Sequence, residues 1–248
     1  MTDTSTGPRI LLYDLETSPI LGYVWTLWKT NVIEVVKDWY LLSAAWQWYG
    51  EDQIHFARKA KGYANDQALT KKIWQLFDEA DIVVAQNGDR FDQPKAWAKF
   101  IQYDLGPPSF YQEIDTLKMA RKHGFTSKSL DNLAKRLGIG KKLPHQGKNT
   151  WIGCIANDEE SWQIMEEYNR HDVWLLDQVW KKLAPYSDVK PNMQQWTGVY
   201  TCVNPRCGSG NLQRRGVYRT HAQTYQRYQC NDCGKYGRAL LADDGRLR

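Results

Sequence analysis

Apolar residues fall along this chain in short dense runs, separated by stretches where they recur every three or four positions. Arg9-Ile10-Leu11-Leu12-Tyr13-Asp14 reads as a buried strand ending on a carboxylate. Residues 41–49 and 53–57 read as neighbouring strands joined through the turn Gly50-Glu51-Asp52. Asn65 is placed to cap a helix over 66–79, whose Leu69, Ile73, Leu76 and Phe77 share one face. Ile82-Val83-Val84-Ala85, within 81–86, is a second buried strand. A helix over 93–103 accepts Pro94 in its first turn and stops at Gly106-Pro107-Pro108. Two short helices are predicted over 116–123 and 129–137, the second capped by Ser129 and ended by Gly138. Residues 140–150 read as a loop and 158–183 as one long helix. This order predicts an α/β domain over 1–184, a mixed sheet flanked by helices, then a linker over 185–200 marked by Pro185 and Pro191. A small β-rich module over 201–248 completes the chain. Gly-x-Gly-x-x-Gly and Walker-type phosphate loops are absent, which argues against a nucleotide-binding fold.

The charge is divided unevenly between these parts. Of 33 basic and 28 acidic residues, nine basic and three acidic ones lie in 201–248, leaving 24 against 25 in the first 200. The surplus therefore belongs to the tail and suits a polyanion, with a solvated surface as the plainer alternative. No run approaches the roughly 18 apolar residues of a membrane span, so no membrane partner is expected. Met1-Thr2-Asp3-Thr4-Ser5-Thr6-Gly7 lacks the basic and apolar regions of a secretory signal. A cytoplasmic location, bacterial or in a phage-infected host, is the expectation, as is a monomer of unknown protein partners.

Three separated clusters carry the candidate chemistry: Asp14 with Glu16, Asp92 in Asn87-Gly88-Asp89-Arg90-Phe91-Asp92, and Asp172 in Tyr168-Asn169-Arg170-His171-Asp172. Strand residues two apart share a face, so Asp14 and Glu16 reach one site. Helix residues four apart do likewise, which aligns Tyr168 with Asp172 and turns His171 away. Phe91 is expected to pack into the core and fix Asp92, while Asp115 reads as a helix cap. Four convergent carboxylates repel one another unless divalent cations stand between them. Hard oxygen ligands suit two Mg²⁺ or Mn²⁺ ions, the usual machinery for attack on a phosphodiester, so a metal-dependent nuclease is predicted. Taken singly, each cluster is more often a solvated surface or a turn.

Taken in order, Asp14-x-Glu16, Asn87-x3-Phe91-Asp92 and Tyr168-x3-Asp172 resemble the three motifs of the DEDD exonucleases of the ribonuclease H-like superfamily. Tyr168 places the resemblance in the DEDDy branch, which includes proofreading domains of family B DNA polymerases. It covers residues 9–184 and implies a ribonuclease H-like fold. It also implies a 3′-to-5′ exonuclease acting on single-stranded nucleic acid, DNA favoured over RNA, and releasing nucleoside 5′-monophosphates. By the same resemblance Asp14, Glu16 and Asp172 hold the metal pair, Asp92 contributes to the second ion, and Tyr168 orients the attacking water. Asn87 either contacts the terminal nucleotide or braces its motif. Tyr23, Trp25, Trp28, Trp46 and Trp48 are candidates for base stacking or for the core, with Trp25 and Trp28 the better stacking candidates. A structure-selective endonuclease and a non-catalytic nucleic-acid-binding protein are the alternatives.

The tail holds Cys202-x4-Cys207 and Cys230-x2-Cys233, a set suited to one structural Zn²⁺ in a Cys₄ site. With so little core, a module of this size needs such a staple. It looks like a zinc ribbon, in which Arg214, Arg215, Arg219, Arg227 and Lys235 alternate with Tyr218, Tyr225 and Tyr228 to offer phosphate contact and base stacking. Protein binding by the ribbon is the alternative. Cys154 stands alone and reads as a small buried residue.

Overall fold

The computed structural model describes residues 7–28, 30–144 and 147–240. In chain order the first elements are β1 (Ile10–Thr17), β2 (Leu21–Tyr23), β3 (Glu34–Lys37), β4 (Leu41–Trp48) and β5 (His55–Arg58). Next come α1 (Gln67–Glu79), β6 (Ile82–Ala85), α2 (Asp92–Gln102), β7 (Gln112–Asp115), α3 (Thr116–Arg121) and α4 (Leu130–Arg136). Then follow α5 (Lys148–Ile155), α6 (Glu159–Leu183), α7 (Gln194–Thr197) and the strands β8 (Leu212–Arg219), β9 (Thr224–Cys230) and β10 (Tyr236–Leu240). The central sheet has the order β5-β4-β1-β6-β7. β1 pairs antiparallel with β4 and parallel with β6, which pairs parallel with β7, so the sheet is mixed as expected.

Both faces of this sheet are covered, which is why β1 and β6 read as unbroken apolar runs. Ile10, Leu12, Ile82 and Val84 pack against Val173, Leu176, Val179 and Trp180 of α6. Leu11, Tyr13, Leu15 and Val83 pack on the other side against Ile73 and Phe77 of α1 and Phe100 of α2. Asp158 caps α6 by accepting from the Ser161 N–H at 2.9 Å, and Ser129 caps α4 through the Asn132 N–H at 3.4 Å.

Several elements differ from the sequence expectation. β1 continues through both of its carboxylates to Thr17, because pairing with β4 persists as far as Leu41. The β2–β3 hairpin and the edge strand β7 carry no clear apolar alternation, and pairing alone makes them strands. α5 begins inside the predicted loop at Lys148, where Gly147 with φ +59° precedes its first turn. The segment after α6 holds a 3₁₀ turn at Ala184–Tyr186 as well as α7. The N-cap of α1 is Asp66, not Asn65, and its carboxylate makes no capping bond.

That carboxylate is used elsewhere. Asp66 accepts from the Leu41 N–H at 2.9 Å and from the Tyr103 hydroxyl, and pairs with the buried Lys99 ammonium at 3.0 Å. Removing one partner of a buried pair leaves an uncompensated charge, at a cost of about 3–5 kcal/mol. Lys99→Met is therefore expected to lower the unfolding free energy measured in urea by that amount, whereas a surface role for Lys99 predicts no change. Among the described residues, no helix is long and apolar enough to cross a membrane.

Candidate active site and metal centre

Alternation along β1 decides where its acids point. Ile10 and Leu12 face α6, so Asp14 and Glu16 continue that even-numbered face toward the same helix. On α6 the buried stripe includes Met165, Tyr168, Asn169, Asp172, Leu176 and Val179, apolar except at one level. The polar interruption in the helix thus meets the polar interruption in the strand. Asp92, the first residue of α2, is drawn in through its Oδ1, which accepts from the Leu15 N–H at 2.9 Å between the two β1 acids. Phe91 is 39% exposed, so this backbone bond positions Asp92 and core packing of Phe91 does not.

The turn from β6 into α2 explains the Asn-Gly pair. Asn87 adopts φ +65°, and a Cβ on Gly88 would lie 2.5 Å from the Ala85 Cβ. The Asn87 N–H donates to Asp115 Oδ1 at 2.9 Å, and the same carboxylate caps α3 through the Leu117 and Lys118 N–H groups. The backbone of Asn87 thus braces its motif.

Burial dominates the electrostatics of the four acids. It raises Asp14 well above the carboxylate range, with Glu16, Asp92 and Asp172 adding repulsion. Glu16 is pushed up to about 8 by burial and then by Asp172 and Asp92. Asp92 is pushed up to about 7 by burial, against the Leu15 hydrogen bond that favours its charge. Asp172 is raised by burial, against the pull of Lys142.

Three side chains outside the predicted set complete the site. The Lys142 ammonium donates to Asp172 Oδ2 at 2.5 Å and to the Tyr168 hydroxyl at 2.9 Å. Burial disfavours that charge, yet Asp172 and Tyr168 outweigh it and hold Lys142 above the ordinary lysine value. Asn169 donates to Asp14 Oδ2 at 2.6 Å and accepts from the Ser43 hydroxyl at 3.0 Å. Trp151 of α5 donates its indole N–H to Glu16 Oε2 at 3.2 Å. The i, i+3 spacing of Asn169 to Asp172 is a local signal; Lys142, inside the predicted loop 140–150, and Trp151, just beyond it, carry none. Tyr168 is raised by burial and by Asp172, so it keeps its proton at neutral pH. Among the described residues one ammonium, that of Lys142, acts on these carboxylates, and Asp172 Oδ1 is buried without a hydrogen-bond partner. Such a donor set fits a hard divalent cation.

The cysteines form a tighter group. The Sγ atoms of Cys202, Cys207, Cys230 and Cys233 all lie within 4.8 Å of one another. The Cys202–Cys233 and Cys207–Cys230 sulfurs are 3.5 and 3.7 Å apart, close to the ~3.8 Å edge of a tetrahedron with 2.3 Å metal–sulfur bonds. Each pair ends in Cys-Gly, and Gly208 and Gly234 adopt φ +56° and +76°, so the five-residue spread of the first pair still closes a similar turn. Both knuckles also seat against the main body. Arg206 pairs with Asp177 of α6, lies over Trp180 at 4.7 Å, and offers its carbonyl to the Tyr49 hydroxyl. Lys235 is buried and donates to the carbonyls of Ala184 and Ser187.

The predicted nucleic-acid contacts divide. Trp25 and Trp28 are 84% and 82% exposed and Tyr23 is exposed, whereas Trp46 is buried against His55 and Trp48 lies half-buried beneath the Arg9 guanidinium. Arg214, Arg215, Arg219, Arg227 and Tyr218 are exposed. Tyr228 is buried with its ring 5.0 Å from Tyr200, so it is a packing residue and is not available for stacking. Cys154 is buried, as expected, and burial pushes its thiol up to about 12. His171 turns away to the Lys141 carbonyl.

A family model described as the RNase_H superfamily matches residues 36–184, a span that includes Asp92, Tyr168 and Asp172. No curated protein matches the chain. Among solved structures the chain is similar to the family B DNA polymerase of the hyperthermophilic archaeon Pyrobaculum calidifontis. The identity is 16% and the TM-score 0.56, over 89% of this chain and 32% of the polymerase. At that identity the likeness is one of fold, and the chain spans about a third of the polymerase's length.

Proposed function

The chain belongs to the RNase H superfamily, and from that premise we propose that it is a metal-dependent nuclease of the DEDDy type. It trims single-stranded nucleic acid from the 3′ end, DNA in preference to RNA, and releases nucleoside 5′-monophosphates. The observation that carries this reading is the meeting of half-buried Asp14 and Glu16 with buried Asp92 and Asp172, with Asp172 Oδ1 left without a partner among the described residues. Residues 1–184 form the catalytic unit, 185–200 the connection, and 201–248 a zinc ribbon that grips the strand.

Asp14, Glu16 and Asp172 would hold two Mg²⁺ or Mn²⁺ ions, with Asp92 contributing to one of them. Ions so held would acidify a water and offset the charge that develops on the leaving 3′ oxygen. Tyr168, protonated at neutral pH, orients the nucleophile as a hydrogen-bond donor and does not act as a base. Asn169 and Trp151 fix the free oxygens of Asp14 and Glu16. Lys142 holds one oxygen of Asp172, which would leave the other available as a cation ligand.

A gel time course with 5′-labelled single-stranded DNA and RNA, in Mg²⁺, Mn²⁺ or EDTA, tests the reading. A metal-dependent ladder shrinking from the 3′ end supports it. Cuts confined to internal junctions of structured substrates would instead assign an endonuclease. Lys142 gives a second expectation. An ammonium positions Asp172 but repels metal ions, so Lys142→Met is expected to slow turnover about 10–100-fold without raising the half-saturating Mg²⁺ concentration. A rise in that concentration at unchanged turnover would contradict the positioning role.

A further inference from the structure

We propose that one face of the β8–β9–β10 sheet, centred on Arg238, is the platform that binds the single strand, a surface that depends on the nuclease reading for its ligand. Cross-strand partners in an antiparallel sheet share a face. The register pairs Tyr218 with Tyr225, Arg227 with Arg238, and Gln229 with Tyr236, which sets all six on one side. The opposite side buries Tyr228, Cys230 and Ala239 toward the cysteine cluster and Tyr200. Of the arginines singled out from sequence, Arg227 lies on the platform side, while Arg214 and Arg219 pair with Tyr228 and Thr224 on the other.

The platform is organised as a cation–aromatic lattice. The Arg238 guanidinium lies over Tyr218 at 4.8 Å and over Tyr225 at 4.7 Å, and Arg227 lies over Tyr236 at 5.7 Å. Tyr218 and Tyr236 are nevertheless 44% and 43% exposed, so their rings are open to a ligand. The three strands carry five arginines and no Asp or Glu. A polyanion with planar groups satisfies both features at once: phosphates meet guanidinium edges, and bases stack on the rings and on the guanidinium planes. An acidic peptide would satisfy only the charge. Because Arg206 and Lys235 seat the knuckles on the end of α6, the platform is held in fixed relation to the helix that carries Asp172.

The test uses the full chain carrying Asp14→Asn, which can bind without cleaving, and fluorescence anisotropy with labelled oligothymidylate. Arg238→Glu and Arg219→Glu make the same charge change on opposite sides of the sheet. Arg238→Glu is expected to weaken binding about tenfold or more, and Arg219→Glu by only about twofold, since only the first removes a stacking and phosphate-contacting group from the platform. Equal zinc content in each variant confirms a folded ribbon. In the chain with native Asp14, hydrolysis of the p-nitrophenyl ester of thymidine 5′-monophosphate should be unchanged by Arg238→Glu, because that substrate is too short to reach the ribbon. Equal losses from both variants, or displacement of the oligonucleotide by polyglutamate at matched charge, would overturn the platform. Arg238-dependent binding in a chain that cleaves nothing would keep the platform and remove the nuclease reading. Cleavage and binding that ignore Arg238 would do the reverse.

Discussion

Replacing Asp14 with asparagine is expected to slow cleavage severely and at the same time to stabilise the metal-free protein. Half-buried Asp14 and Glu16 lie beside the buried Asp92 and Asp172, and all four acids are held above their ordinary range. An isosteric amide removes one of the mutually repelling charges without opening a cavity. Catalysis should fall on the order of 10³-fold, the scale seen when one preorganised transition-state group is lost. The melting temperature in EDTA should rise, the usual opposition between a strained site and a stable fold. The same carboxylates set a pH dependence. Glu16 and Asp92 titrate at about 8 and about 7 in the fold but near ordinary carboxylate values when unfolded. Between those limits the native state binds more protons than the unfolded one, so metal-free stability falls as pH rises from about 4 toward 8. Saturating Mg²⁺ should flatten that slope. A slope that is flat without metal, or an Asp14→Asn protein that cleaves at the native rate, would remove the carboxylate site as the catalytic centre.

The second large effect concerns the four cysteines. The β8–β10 module has a small core of its own, and structural zinc contributes an apparent ~10–16 kcal/mol of binding free energy in isolated zinc-finger peptides at neutral pH. One equivalent of zinc per chain is expected by elemental analysis. Cys230→Ser, or a strong chelator, should unfold the module while the central sheet remains. Limited proteolysis would then cut within residues 201–240 and spare β1 to α6. Loss of the Arg206–Asp177 pair and of the Lys235 bonds should lower the stability of α6 as well, because both contacts end on its C-terminal region. Burial raises the Cys202 thiol, and Cys207 is pushed up to about 11, so zinc must displace protons to bind and should be released on acidification. A module that stays protease-resistant after complete chelation would show that its own packing suffices.

Local pattern alone carried much of this molecule. Apolar runs at 10–12 and 82–85 identified strands buried on both faces, and the apolar stripe after Asp158 identified α6. The period of two placed Asp14 and Glu16 together, the period of four placed Tyr168 with Asp172, and the cysteine spacing marked the metal cluster. These features repeat within a few residues, so the chain's own geometry determines them. Tertiary structure decided the rest. Lys142 is 30 residues from Asp172, Trp151 is 135 from Glu16, and Asn169 is 155 from Asp14, separations over which no periodicity reports. Strand β7 exists because β6 offers it an edge, and its Asp115 serves Asn87 across that pairing. In the tail, composition showed arginines and tyrosines in alternation but not which of them share a side. A bulge between Arg214 and Val217 resets that register, setting Tyr218 opposite Tyr225 so that both rings lie beneath Arg238. Sequence determined which residue types were present and how neighbours align; only the pairing of distant strands and helices determined which of them meet.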